Sequence, residues 1–107
     1  MNGASGYALH PEAAVDITEL WEDIARKSPL TARRVREDIM EAILKLVPFP
    51  QQGHRRPDLT NRPLRFKVVR DYLIAYAPDE HPLWVVAVVH GRRSPRVVAA
   101  ILRGREN

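Results

Sequence analysis

The segment Leu64–Arg93 constrains this chain more than any other. It reads LRFKVVRDYLIAY, a short turn, then LWVVAVVHGRR. Leu64, Phe66 and Val68 alternate with Arg65 and Lys67, the period-two pattern of a strand with an apolar and a cationic face. Arg70-Asp71 predicts a tight turn into a second strand, Tyr72–Ala77. Pro78-Asp79-Glu80-His81-Pro82 is the next turn. Leu83–Val89 is apolar at every position, as expected of a central strand buried on both faces. Cations close these strands, and the last one runs into His90-Gly91-Arg92-Arg93.

The rest of the chain supplies what such a sheet needs for cover. Residues 1–5 read as a flexible start, and Tyr7-Ala8-Leu9 as a short strand. Pro11 suits the first turn of a helix, where its missing N–H costs nothing, and Glu12 and Asp16 sit well in the field of that helix terminus. Ile17, Leu20, Trp21 and Ile24 follow i, i+3, i+4, i+7, so this helix has an apolar face and runs to about Lys27. Ser28-Pro29 restarts the chain as a cap plus proline. Ala32, Val35, Ile39, Ala42, Ile43 and Leu46 repeat the pattern before Pro48 and Pro50 stop it. Two amphipathic helices joined this tightly form an antiparallel hairpin. Residues 51–63 read as a polar loop. Ser94-Pro95 starts a short last helix with Val97, Val98, Ile101 and Leu102 apolar. The order is β-α-α-β-β-β-α, an α+β domain with a small antiparallel sheet packed against an N-terminal helical hairpin.

A chain of 107 residues has material for one domain, 1–107, with one modest core. With no cysteine there is neither a disulfide framework nor thiolate chemistry, which suits a reducing cytoplasm. No apolar run approaches the roughly 18 residues of a membrane span, and the start MNGASGYALH lacks the regions of a signal peptide. The net charge of +4 is unevenly spread: residues 1–50 carry six Lys/Arg against eight Asp/Glu, residues 51–107 eleven against five. Ten of those eleven cations are arginine, which holds phosphate or carboxylate in a planar, bidentate way. The basic half therefore points to an anionic partner, nucleic acid or an acidic protein segment.

The basic set is Arg55, Arg56, Arg62, Arg65, Lys67, Arg70, Arg92, Arg93, Arg96, Arg103 and Arg105. Such a set is either a solvated surface or an anion site. Arg65 and Lys67 share one strand face and Arg92 and Arg93 leave a neighbouring strand's end, which predicts one positive concavity. His90, beside this cluster, is a candidate general acid or base; the alternative is a ring that only positions the Gly91 turn. His10, His54 and His81 are scattered over separate loops, and no His/Asp/Glu spacing fits a metal. The glycines form no phosphate-cradling motif, so neither metal nor cofactor is expected. Trp21, Trp84, Tyr72 and Tyr76 read as core packing. Edge strands and an apolar groove beside the helical hairpin would suit an added strand or helix from a partner.

Several pieces resemble one family in order and spacing: Tyr7-Ala8-Leu9-His10-Pro11-Glu12-Ala13, Asp16-Ile17 with Trp21, Pro50 with Gly53, Leu64-Arg65, Tyr72-Leu73-Ile74-Ala75-Tyr76, and His90-Gly91-Arg92-Arg93-Ser94-Pro95. Over about residues 7–105 the chain resembles RelE/ParE superfamily toxins. The resemblance implies the toxin of a type II toxin–antitoxin (plasmid stabilisation) module, cytoplasmic, in a hetero-oligomer with a cognate antitoxin. RelE-like members cut mRNA on the ribosome; ParE-like members poison DNA gyrase. Carried onto this chain, the nuclease cations fall at Arg65 and Lys67 and the later arginine at Arg93, but the sheet arginine falls at Leu73 and the helix tyrosine near Ala99. Cleavage needs an acid, a base and charge stabilisation at the phosphate, and two of those parts are missing. The expectation is a ParE-like gyrase inhibitor whose target contacts are Arg65, Arg70, Arg92, Arg93 and Arg96. One alternative is an mRNA endonuclease with a reduced set, Arg65, Lys67, His90 and Arg93. Another is an inactive homologue that only binds antitoxin.

Overall fold

The computed structural model describes residues 6–106. The flexible start expected at residues 1–5 lies outside the described residues. The elements follow as β1 (Tyr7–Leu9), α1 (Pro11–Ala25), α2 (Pro29–Leu46), a 3-10 turn (Pro50–Gln52), β2 (Arg65–Val69), β3 (Tyr72–Ala77), β4 (Leu83–His90) and α3 (Pro95–Arg103). This is the α+β class and the element order read from the sequence.

Each helix starts where a side chain can satisfy a free N–H and proline needs none. His10 Nδ1 accepts from Glu12 N–H at 3.0 Å, Ser28 Oγ from Thr31 N–H at 3.2 Å and Ser94 Oγ from Val97 N–H at 3.3 Å. Pro11, Pro29 and Pro95 follow these caps directly.

The sheet order is β1-β4-β3-β2. Strands β2, β3 and β4 form the antiparallel meander, and β1 lies parallel to β4, so the whole sheet is mixed. β1 returns to the sheet through neither a turn nor a hairpin; the whole helical hairpin and the meander separate it from β4, which permits the parallel direction.

The one core expected from chain length is split by this sheet. On one face α1 and α2 bury Ile17, Leu20, Val35, Ile39, Ile43 and Leu46 against Ile74, Tyr76, Val85 and Val88. On the other, α3 and the loop before β2 bury Val98, Leu102, Leu59 and Leu64 against Phe66, Leu73, Val86 and Val89. β4 is therefore covered on both faces, which accounts for its unbroken apolar run. A register shift between Ala75 and Tyr76 leaves Val86 as an extra residue opposite β3.

Trp21 departs from its expected core position: it is 38% exposed, because Ala13, Ile17 and Leu20 define the buried stripe and Trp21 lies one helical step round from Leu20. The cationic face expected for β2 is not a solvent face. Arg65 pairs with Tyr76 and Lys67 with Ile74, so both point to the side covered by the helical hairpin and are half-buried. Val68, expected to be apolar and inside, is 66% exposed at the sheet's edge.

Candidate functional site

Two turns meet at one end of the sheet. The β2–β3 turn places Arg70 and Asp71, and the end of β4 places His90 to Arg93. Gly91 N–H donates to Asp71 C=O at 2.7 Å, joining them. A Cβ on Gly91 would lie 3.2 Å from that same carbonyl, so glycine lets the turns close. His90 Nδ1 accepts the Arg92 N–H at 3.1 Å, and His90 C=O accepts from Arg93 N–H at 3.1 Å. Its ring also meets Tyr72 edge-on, with centroids 5.3 Å apart. The reading of His90 as an organiser of the Gly91 turn fits these contacts.

Arg70 has φ 54°. That left-handed conformation costs a non-glycine residue about 1–2 kcal/mol. Its side chain reaches α2, where Nε donates to Asp38 Oδ2 at 2.7 Å, with both groups nearly half exposed. A pair that open contributes about 0.2–1 kcal/mol, so it does not offset the backbone strain. Two-residue hairpin turns take a positive φ at their first residue to match the strand twist, so the β2–β3 turn itself demands this conformation.

Arg70 and Arg92 line one depression of about 290 Å³ with Arg56, His90, Val68 and Leu73. Arg56 grips Asp58 through Nε and NH2, at 3.0 and 2.8 Å. That bond holds the Asp58 carboxyl below its ordinary pKa. Asp58 belongs to the next depression, about 420 Å³, with Arg96, Ala99, Ala100 and Arg103. Arg93 turns the other way, into a cleft with His90, Tyr72 and the α1 carboxylates Glu19 and Asp23. Burial, and after it Asp71 and Asp23, raise the Tyr72 pKa.

Arg65 lies elsewhere. By strand register it is roughly 16 Å from His90, at the opposite end of the sheet. Its NH1 donates to Gly53 C=O at 2.8 Å. Beside it Tyr76 OH accepts from Gly53 N–H at 2.9 Å and donates to Pro50 C=O at 2.6 Å. Burial raises the Tyr76 pKa, against a smaller lowering by Gly53 N–H and Arg65, so the phenol keeps the proton it donates. Gly53 is required here because a Cβ would sit 2.6 Å from Tyr76 OH. Arg65 thus ties the 50–53 turn to the sheet. The single concavity expected from Arg65, Lys67, Arg92 and Arg93 does not form, because β3 separates β2 from β4, and Arg65 at the far end and Lys67 at mid-strand both face the helical hairpin. Leu73 is buried under α3 and Ala99 is half-buried on it.

Arg105 overturns its placement in the exposed basic set. It is buried, with NH2 on Asp16 Oδ1 at 2.9 Å, NH1 on Asp16 Oδ2, and NH1 also on Val86 C=O at 3.2 Å. Asp16 Oδ2 accepts Val88 N–H at 2.9 Å. β1 covers β4 only as far as Val85, and this pair satisfies the edge beyond it. The Asp16 hydrogen bond raises the Arg105 pKa against the desolvation of burial. The one sequence sign of this was an aspartate one step from Ile17 on the buried side of α1. Arg62 is likewise a tie, donating to Leu102 C=O at 2.8 Å.

Among the described residues, no three His, Asp or Glu side chains converge as a metal site, and no helix is long and apolar enough to cross a membrane. The model of one family, the ParE toxin of the type II toxin–antitoxin system parDE, matches residues 7–95. No curated protein matches the chain. The family match runs from β1 to the start of α3, and the chain belongs to that family. It is a type II toxin, and the family implies a cognate antitoxin.

Proposed function

We propose that this ParE-family toxin stops growth by binding DNA gyrase rather than by cutting RNA, and that its antitoxin silences it by covering exposed apolar surface. The observation that carries the first part is the scatter of the candidate nuclease residues. Arg65 is bound to a backbone carbonyl, His90 supports a turn roughly 16 Å away, and leucine and alanine stand where an arginine and a tyrosine would be needed. An acid, a base and an anion-stabilising group must meet at one phosphate to cleave it. Binding makes no such demand. Arg70, Arg92 and Arg96 lie along one face and are the target contacts in this reading, with Arg93 on the flank.

Support for antitoxin docking comes from the helical hairpin and its exit. Val15, Leu30, Leu44 and Phe49 are all more than half exposed, and side chains of this kind suit an amphipathic helix or strand from a partner. The outer edge of β2 is paired at Phe66 by His54, and Val68 lies open beyond it.

The test is induced expression in a bacterial host, with plasmid topoisomers resolved and transcript ends mapped from the same cells. Growth arrest with altered supercoiling and intact messages is expected. Cuts inside translated messages would make the chain an RNA endonuclease and overturn the reading.

A further inference from the structure

We propose that the free edge of β4 takes an extended segment of the antitoxin, running parallel to the strand along the line that β1 begins. β1 covers β4 only as far as Val85. Beyond that point the strand's hydrogen-bonding groups alternate between its two sides. Leu73 stands opposite Val89 and Ala75 opposite Ala87, and Gly91 N–H donates to Asp71 C=O, so Ala87, Val89 and Gly91 turn their groups towards β3. Val86, Val88 and His90 turn theirs to the free edge. There Val86 C=O accepts from Arg105, Val88 N–H donates to Asp16, and His90 C=O accepts from Arg93 N–H. Val88 C=O and His90 N–H point the same way and have no partner among the described residues. Val88 is buried, and a buried backbone group left without a partner is rare.

These two open groups select the direction of the added strand. An antiparallel neighbour exchanges both of its bonds with one residue, so it needs the N–H and the C=O of Val88, or those of His90, together. In each residue one of the two is already taken. A parallel neighbour sets one residue between two of the strand's, donating to the C=O before it and accepting from the N–H after it. A residue opposite Val89 finds both, at Val88 C=O and His90 N–H. β1 already pairs in this way, with Leu83 N–H donating to Gly6 C=O and His10 N–H to Val85 C=O.

The cleft of about 300 Å³ around this edge sets the side chains of the added segment. The residue opposite Val89 shares its face, the α3 side, lies beside Ile101 and is apolar. The residue after it points to α1, where Glu19 forms no ion pair among the described residues and Asp23 holds only the exposed Arg26; it is Lys or Arg. Arg93 also lines the cleft and suits a carboxylate further along the segment. The antitoxin is the occupant because Glu19 lies one helical turn from the exposed Val15 on α1. The cleft therefore continues the apolar surface assigned to the antitoxin above, whereas the arginines assigned to the target lie on the α3 side of the sheet. The inference rests on that antitoxin reading.

The experiment follows amide hydrogen exchange by NMR in the full chain, alone and bound to its purified antitoxin. His90 N–H, unbonded in the free chain, should exchange at least about tenfold more slowly in the complex. Contacts between the strands in the same spectra should show successive antitoxin residues advancing in the direction of β4. By isothermal titration, Glu19→Lys should weaken the complex about 10- to 100-fold, and Asp79→Lys, on the turn at the other end of the sheet, should leave it unchanged. Circular dichroism checks the fold of each variant. Unchanged His90 exchange, or equal weakening by Glu19→Lys and Asp79→Lys, would overturn strand addition at this edge. The opposite order of contacts would overturn the parallel direction. If the inference fails and Leu44→Asp or Phe49→Asp still breaks the complex, the antitoxin reading stands without it. If those variants bind normally as well, or no complex forms, both readings fall.

Discussion

Two regions of this small toxin use arginine for opposite ends. At the free edge of β4, Arg105 is buried on Asp16 and a strand carbonyl, and it stands in for a missing strand neighbour. On the α3 face, Arg92, Arg96 and Arg103 reach into water with no ion-pair partner among the described residues. The side chain is the same and so is the charge. What differs is desolvation: a buried guanidinium must have every donor's loss of water made good, whereas an exposed one keeps its water until a ligand displaces it. The first kind holds the fold, and the second is available for binding.

The contrast breaks most visibly at the buried pair. Asp16→Ala leaves Arg105 buried without its carboxylate and Val88 N–H without an acceptor. Removing one partner of a buried pair costs about 3–5 kcal/mol, so the urea midpoint should drop sharply or the chain should fail to fold. A midpoint within experimental error of the parent would show that the pair is solvated and the contrast unfounded.

Tyr76→Phe is the next largest. It removes the hydroxyl that joins Gly53 N–H to Pro50 C=O, and leaving buried polar groups unpaired costs about 1–3 kcal/mol. Arg65→Ala should cost about 1 kcal/mol through its bond to Gly53 C=O. Any loss of toxicity in that variant should track its loss of stability. If a fully stable Arg65→Ala chain is harmless, Arg65 belongs with the binding arginines after all.

Arg70→Gly tests the contrast with the opposite sign. It trades a surface ion pair of about 0.2–1 kcal/mol for relief of about 1–2 kcal/mol of backbone strain. Thermal denaturation should show a midpoint equal to or above the parent's, together with weaker toxicity. A clear drop in the midpoint would make Arg70 a structural residue. Smallest of all, single Arg92→Ala and Arg96→Ala exchanges should move stability by less than about 0.5 kcal/mol.

How far the sequence was readable follows the same division. The helices, their proline-marked starts and β4 were legible because period and cap chemistry are local. Leu83–Val89 could be placed at the sheet's centre because no edge strand tolerates that run. Neither the parallel pairing of β1 nor the split core is local, and nothing in Tyr7–Leu9 says which strand it joins. The site was half legible. Arg70, Arg92 and Arg96 were picked out by residue type, but that Arg70 and Arg92 line one depression and Arg96 the next is set by the tertiary fold and not by spacing. Arg65 was misplaced because its alternation with Phe66 shows that it faces away from that residue, not that it faces water. Arg105 was grouped with the surface because its partner Asp16 lies 89 residues away, and no spacing rule connects them.

The most direct measurement takes one chain carrying Arg92→Ala and Arg96→Ala together. Its urea midpoint and its effect on growth when induced should be read side by side with the parent's. An unchanged midpoint with lost growth arrest is the predicted result. Full growth arrest from the equally stable double variant would contradict the assignment of this face to target binding.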